Sequence, residues 1–198
     1  MPMKKPLGCL TVLAGLFLIG LVWGGIRFYG GKFFDRYQRP WAYSDTEPLL
    51  VGHWQGSFND PDGLSKNLTL TIDVPVTDDE RWNKAFKKRR RRSRSNKQAF
   101  DGLATVTSKL GREEYRINGS VNKDDYHLFT MHFGPVDAKY HVVPNFYIND
   151  IEQGRWETDA MTLTLRFSYF QKDGSSYSNS ADPRFSKNVT VTLHRGNH

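Results

Sequence analysis

Three segments alternate apolar and polar residues with a period of two, and nothing else in the chain restricts its fold as strongly. They are Leu68-Thr69-Leu70-Thr71-Ile72-Asp73-Val74, Met161-Thr162-Leu163-Thr164-Leu165-Arg166-Phe167 and Val189-Thr190-Val191-Thr192-Leu193. Successive side chains of a strand point to opposite faces, so each segment offers an aliphatic face and a threonine face. Weaker strands read at 50–58, 99–107, 113–121, 125–133, 140–148 and 151–157. Turn-forming groups separate them: Asp60-Pro61-Asp62-Gly63, Ser108-Lys109-Leu110-Gly111, Asn122-Lys123-Asp124 and Lys172-Asp173-Gly174-Ser175. Short turns between consecutive strands make antiparallel hairpins, and a meander with this many strands must close or stack to hide its edges. The expected fold is therefore all-β, an antiparallel meander closed into a barrel or a strongly curved sheet, occupying 46–198 as one domain. Only 77–86 reads as a brief helix, from an Asp-rich start.

The strands also echo one another. Ile117-Asn118-Gly119-Ser120-Val121, then Asp125 and Phe129-x-Met131-x-Phe133, resembles Glu152-Gln153-Gly154-Arg155-Trp156, then Asp159 and Leu163-x-Leu165-x-Phe167. Hairpins of one barrel share such a grammar without duplication of the chain, and either origin supports the meander.

At the start of the β region stands Val51-Gly52-His53-Trp54-Gln55-Gly56-Ser57-Phe58. Its Gly52-x-Trp54 resembles the opening motif of the lipocalins and their calycin relatives. The resemblance implies an up-and-down barrel whose tryptophan plugs the closed end, with an arginine of the last strand packed over the indole. Arg195 is placed to be that arginine, in a cation–π contact. The chain has no Thr-Asp-Tyr motif, and no helical period follows its last strand. The resemblance further implies a cup for a small apolar ligand. Strand parity selects Trp54, Tyr115, Phe129, Phe133, Trp156, Phe167 and Tyr169 as ligand-binding candidates on an aromatic-rich interior. The competing reading of the same residues is a packed core without a ligand.

Ahead of this domain, residues 6–26 form an uncharged, mostly apolar run between Lys5 and Arg27. At about 1.5 Å per residue, about 20 helical residues span a hydrocarbon core about 30 Å thick. The run exceeds a signal-peptide core and ends without an Ala-x-Ala site, so it reads as a retained single-pass transmembrane helix, a signal anchor, after a basic tail at 1–5. Phe28, Tyr29, Phe33, Phe34, Tyr37 and Trp41, interleaved with Arg27, Lys32, Arg36 and Arg39, make 27–45 an aromatic and basic collar suited to lipid headgroups. The bilayer is thus the first expected partner. A short basic tail before the first apolar run places the β domain outside the cytoplasm, although the flanking charges nearly balance. The lone cysteine, Cys9, lies in the apolar run, so disulfides do not indicate a compartment.

Within the basic loop at 77–97, residues 81–97 carry ten basic side chains and no acid, including Lys87, Lys88, Arg89, Arg90, Arg91, Arg92 and Arg94. Subtracting +10 for this segment and +5 for residues 1–40 from the net charge of +7 leaves −8 for the remainder. The basicity is local. It addresses anionic lipid or an acidic protein. Nucleic acid is disfavoured, because no aromatics are interleaved between Lys87 and Lys97.

Catalytic signatures are missing. His53, His127, His132, His141, His194 and His198 lack metal-ligand spacing, and no nucleophile elbow, phosphate loop or dinucleotide fingerprint occurs. The residues designate no catalytic group, metal or cofactor. The sequence therefore supports a membrane-anchored binding or scaffolding module. The alternative is an envelope enzyme or enzyme inhibitor whose site is assembled from distant residues, with His127, His132 or Asp159 converging in a cleft.

Overall fold

The computed structural model describes residues 9–44, 49–75, 96–136, 145–178 and 182–196. They divide into two units, one holding helix α1 (Cys9–Tyr37) and the other holding the sheet from Arg39 onward. The basic loop side chains from Lys87 to Arg94, and the brief helix expected at 77–86, lie outside the described residues.

Helix α1 is continuous over 29 residues, running through the expected span and into the collar. Its described apolar side chains, among them Val12, Phe17, Ile19, Trp23 and Ile26, are exposed. Among the described residues, no helix is long and apolar enough to cross a membrane. The described side chains of α1 begin at Val12, whereas the uncharged run in the sequence begins at Pro6.

The sheet unit is a closed barrel. Its strands are β1 (Gly52–Asn59), β2 (Ser65–Ile72), β3 (Ala99–Ser108), β4 (Gly111–Val121), β5 (Leu128–Pro135), β6 (Asn145–Glu157), β7 (Ala160–Phe170), β8 (Ser176–Tyr177) and β9 (Asn188–Arg195). The order β6-β5-β4-β3-β2-β1-β9-β7 is closed by β6–β7 pairing, and the two-residue β8 extends only the end of β7. Every pairing is antiparallel, so eight strands form an up-and-down barrel without a long free edge. The aliphatic face of each alternating segment points inward: Leu68, Leu70, Met161, Leu163, Leu165 and Leu193 are fully buried, while Thr69, Thr162 and Thr192 point out.

Two boundaries differ from the sequence expectation. The strands expected at 140–148 and 151–157 are one strand, β6, whose register against β7 shifts between Ile148 and Asp150 and between Ile151 and Gln153. Those irregularities break the period of two, so the sequence reads as two pieces. The strand expected at 125–133 starts at Leu128, because the Asn122 carboxamide accepts the amides of Asp124 and Asp125 and holds them in a turn.

The echoed glycines have a common structural cause. Gly119 is the register partner of Phe100, and Gly154 that of Phe129. Each phenylalanine ring lies across the glycine of the neighbouring strand, where a side chain would collide. A Cβ on Gly154 would stand 2.6 Å from Phe129 Cζ and 2.7 Å from Ile151 Cδ1. The rings cannot retreat freely, since Phe129 packs edge-on against Phe100 at 5.8 Å and Phe100 against Trp41 at 6.0 Å. Gly154→Ala is therefore expected to destabilise the barrel by about 1–3 kcal/mol through overpacking. Urea unfolding monitored by tryptophan fluorescence would measure it, and a neutral effect would mean that the rings have room.

Trp41 and Arg39, counted in the headgroup collar, are each only 1% exposed in the sheet unit. The Leu50 amide donates to Trp41 O at 2.8 Å, and the indole sits against Phe100. This burial moves both residues from the collar to the barrel end.

Candidate functional site

The two ends of the barrel differ in chemistry. At one end Trp54, with no exposed surface, donates from Nε1 to Leu50 O at 2.9 Å. The guanidinium carbon of Arg195 lies 4.4 Å from the indole ring. Register places the two residues opposite one another on β1 and β9. The same guanidinium donates to the carbonyls of Val51, Leu49 and Thr158, and Nε stands 3.5 Å from the Asp159 carboxylate. Gly52 has φ +124°, and a Cβ there would come within 3.2 Å of Arg195 Nη1, so both backbone conformation and space favour glycine in the Gly-x-Trp pattern. The indole–arginine contact expected from the motif is present, and this end is closed.

At the other end the lumen is crossed by a lysine. Lys66 occupies an inward position of β2, two residues before Leu68, and is 1% exposed. Its Nζ donates to Phe146 O on β6 at 2.8 Å and stands 3.3 Å from Glu113 and 3.5 Å from Asp60 Oδ2. It also lies 5.5 Å from the centre of the Tyr147 ring. The Tyr115 hydroxyl donates to Glu113, and burial, reinforced by that carboxylate, pushes the phenol well above its ordinary range. Asp60 fixes the β1–β2 turn, accepting at Oδ1 from the amides of Asp62 at 3.0 Å and Leu64 at 2.9 Å. Asp60-Pro61-Asp62-Gly63 is thus the turn that its sequence predicts. With Lys66 and the ring pair Tyr115–Phe133, whose centroids are 5.8 Å apart, the upper lumen is filled.

Immediately outside this plug runs a groove of about 710 Å³, lined by Asp62, Phe146, Tyr169, Gln171, Lys172, Arg184 and Phe185. Its lining rings, Phe185, Tyr169 and Phe146, belong to a longer ladder. Tyr177 stacks on Phe185 at 4.2 Å, Phe185 meets Tyr169 at 5.5 Å, and Tyr169 meets Phe146 at 4.9 Å. Phe146 then reaches Phe167 at 6.4 Å, and Phe167 reaches Phe58 at 6.0 Å in the core. Local turns position these rings. Pairing of Tyr169 with Tyr177 across β7–β8 sets the first rung, and the turn between them is tied by Gln171 N to Ser175 O at 2.9 Å. The Asp173 carboxyl lies below its usual range because Ser175 donates to it from its hydroxyl and its amide. Asp182 accepts the amides of Phe185 and Ser186 at its carbonyl, which turns Phe185 inward.

Charge on the rim is mixed. Arg184 lies over the Phe185 ring at 5.4 Å and pairs with Asp182 through Nη2 at 2.6 Å, and its donation holds the Asp182 carboxyl below the usual range. Lys172 has no ion pair among the described residues. The Asp62 carboxyl is pushed up by partial burial, then by Asp60, against a smaller opposing pull from Lys66.

Of the ligand-binding candidates, Trp54, Tyr115, Phe129, Phe133, Trp156 and Phe167 are all buried in the packed interior, none more than 3% exposed. Tyr169 alone among them lines the groove. Phe146, Gln171, Lys172, Arg184 and Phe185 escaped the sequence reading, because they come from separate turns and no local pattern joins them. Lys66 was detectable: extending the alternation of Leu68, Leu70 and Ile72 back by one step puts it inside. The residues that would have marked an enzyme do not converge. His127 contacts Trp156 O at 3.0 Å, His132 is exposed on β5, and Asp159 is engaged with Arg195. No group of metal-ligating side chains is found among the described residues.

The class defined by this fold is a closed, eight-stranded antiparallel meander barrel with a tryptophan-plugged end and a groove at its mouth. No known family's sequence profile matches the chain, and no curated protein matches it. Among solved structures it is similar to EF1p2_mFAP2b bound to DFHBI, at 15% identity over 74% of this chain and 94% of that one, with a TM-score of 0.45. It is also similar to a de novo designed fluorescence-activating β-barrel, at 13% identity with the same coverage and a TM-score of 0.35.

Proposed function

We propose that the protein is a lipocalin-like binding module that takes a small, flat, largely apolar ligand in the groove at the barrel mouth. The supporting observation is the continuous ladder from exposed Tyr177 through Phe185, Tyr169 and Phe146 to buried Phe167. Phe185 and Tyr169 stay half-buried at the groove while their neighbours hold them in place, so a ligand finds their exposed parts already arranged. The lumen is a poorer site, because Lys66 crosses it and rings fill it below. The fluorogenic probe N-phenylnaphthylamine tests this reading on the full chain in phosphatidylcholine nanodiscs, with the signal of empty discs subtracted. Phe185→Ala and Tyr169→Ala are each expected to weaken binding about tenfold, while Leu103→Ala, at an exposed position on β3, leaves it unchanged. Equal binding by all four proteins, or none by the wild type, would contradict the groove as the site.

The same reading places the barrel on a single-pass tether facing away from the cytoplasm. The uncharged run 6–26 and the continuity of α1 support the tether, and the short basic tail at 1–5 supports the direction. A cytoplasmic reporter signal from C-terminal fusions would reverse the orientation, and release from bilayers by an alkaline wash would remove the tether. On that side the basic loop at 77–97 would meet anionic headgroups or an acidic protein. Co-sedimentation of the tethered chain's loop variant, Arg89–Arg92 replaced by serine, with anionic vesicles should be weaker and less salt-dependent than that of the wild type.

A further inference from the structure

We infer that the ligand of the mouth groove carries one anionic head, seated at the edge formed by the β7–β8 turn; this inference rests on the groove being the binding site. The rim is chemically asymmetric. Lys172 and Gln171 follow β7 directly, and Arg184 stands over the Phe185 ring that forms the groove wall. This edge offers an ammonium without an ion pair among the described residues, a carboxamide donor and a guanidinium. Arg184 is half committed, because Asp182 holds it through Nε and Nη2. Lys172 is the cation left for a ligand.

Asp173 is engaged by Ser175 and Asp182 by Arg184, and the acid among the groove-lining residues comes from a different turn. Asp62 belongs to the β1–β2 hairpin, and its carboxyl is already disfavoured as an anion by partial burial and by Asp60. A ligand anion placed there would meet like charge, whereas beside Lys172 it gains a charge-assisted hydrogen bond. Attraction at Lys172 and repulsion at Asp62, which line the groove from different turns, bias the direction in which an amphipathic molecule lies. Its flat body packs against the half-buried Phe185 and Tyr169 where they line the groove, and its head points to Lys172. The ligand class is an aromatic or polyene-like carboxylate, sulfonate or phosphate monoester rather than a neutral hydrocarbon or an amine.

A matched pair of probes isolates the head from the body: N-phenylnaphthylamine and its sulfonate, anilinonaphthalene sulfonate. With the full chain in phosphatidylcholine nanodiscs and the signal of empty discs subtracted, the sulfonate should bind about tenfold tighter than the neutral probe. Lys172→Gln should erase that preference, weakening the sulfonate about tenfold relative to the neutral probe. Asp62→Asn should tighten the sulfonate alone. Equal affinity for the two probes in the wild type, or a preference that survives Lys172→Gln, overturns the inference and leaves the groove as the site of a neutral ligand. Failure of both probes overturns the inference together with the reading on which it rests.

Discussion

Lys66→Ala is expected to lower the stability of the barrel by about 3–5 kcal/mol, the cost of removing one partner from a buried ion pair. The lysine is 1% exposed, the Asp60 side chain is wholly buried, and that of Glu113 is 12% exposed, so solvent screens little of the interaction. With the ammonium gone, two carboxylates remain at the barrel mouth. Asp60 Oδ2 has no hydrogen-bond partner among the described residues, so the ion pair at 3.5 Å is the compensation seen for its burial. Glu113 keeps the Tyr115 hydroxyl as a donor. The Phe146 carbonyl loses its donor as well, and with it one strut between β2 and β6 across the lumen. Lys66→Met restores volume but not charge, and is expected to recover little by itself. Combining Lys66→Met with Glu113→Gln should recover part of the loss, because one orphaned charge is removed. Chemical unfolding of the full chain measures all three variants. A cost for Lys66→Ala below about 1 kcal/mol, typical of solvated pairs, would show that water reaches the cluster.

Trp54→Ala is expected to cost about 3–5 kcal/mol as well, by a different route. The indole is fully buried and fills the closed end, so its removal leaves a cavity whose walls are held apart by the barrel's strands. It also releases Arg195 from its ring contact at 4.4 Å and removes the donor to Leu50 O. Leu50 and Val51 lead from the buried Trp41 into β1, so the segment that covers this end loses an anchor together with the core. Arg195→Lys should be milder than Trp54→Ala: an ammonium lacks the fork that reaches the carbonyls of Leu49, Val51 and Thr158 together, but the indole stays in place. Thermal unfolding of the two variants side by side distinguishes them. A small loss for Trp54→Ala would mean that the tryptophan is not the plug.

The barrel was legible because its strands obey the period of two, and the sequence pattern of Leu68-Thr69-Leu70-Thr71 is the burial pattern of β2. Legibility failed where the backbone departs from that period. The strand β6 buries Asn145, Phe146, Tyr147 and Ile148 in succession just before its register shifts, and no alternation survives there to be read. The Gly52-x-Trp54 pattern and distant Arg195 could be joined because a shared motif specifies both ends of one contact. Nothing comparable specifies the groove. Phe146 starts a strand, Tyr169 ends another, and Phe185 follows an Asp182 turn, so their meeting is a property of barrel closure rather than of local sequence. Trp41 reads as an interfacial residue from its basic and aromatic neighbours, yet packing against Phe100 claims it for the core.

Hydrogen–deuterium exchange on the full chain in nanodiscs, with and without N-phenylnaphthylamine, tests the central claim most directly. Binding at the mouth predicts slower exchange at 169–177 and 182–187, with 49–51 and 122–128 at the Trp54 end unchanged. Protection at the Trp54 end instead, or no protection anywhere at saturating probe, would contradict it.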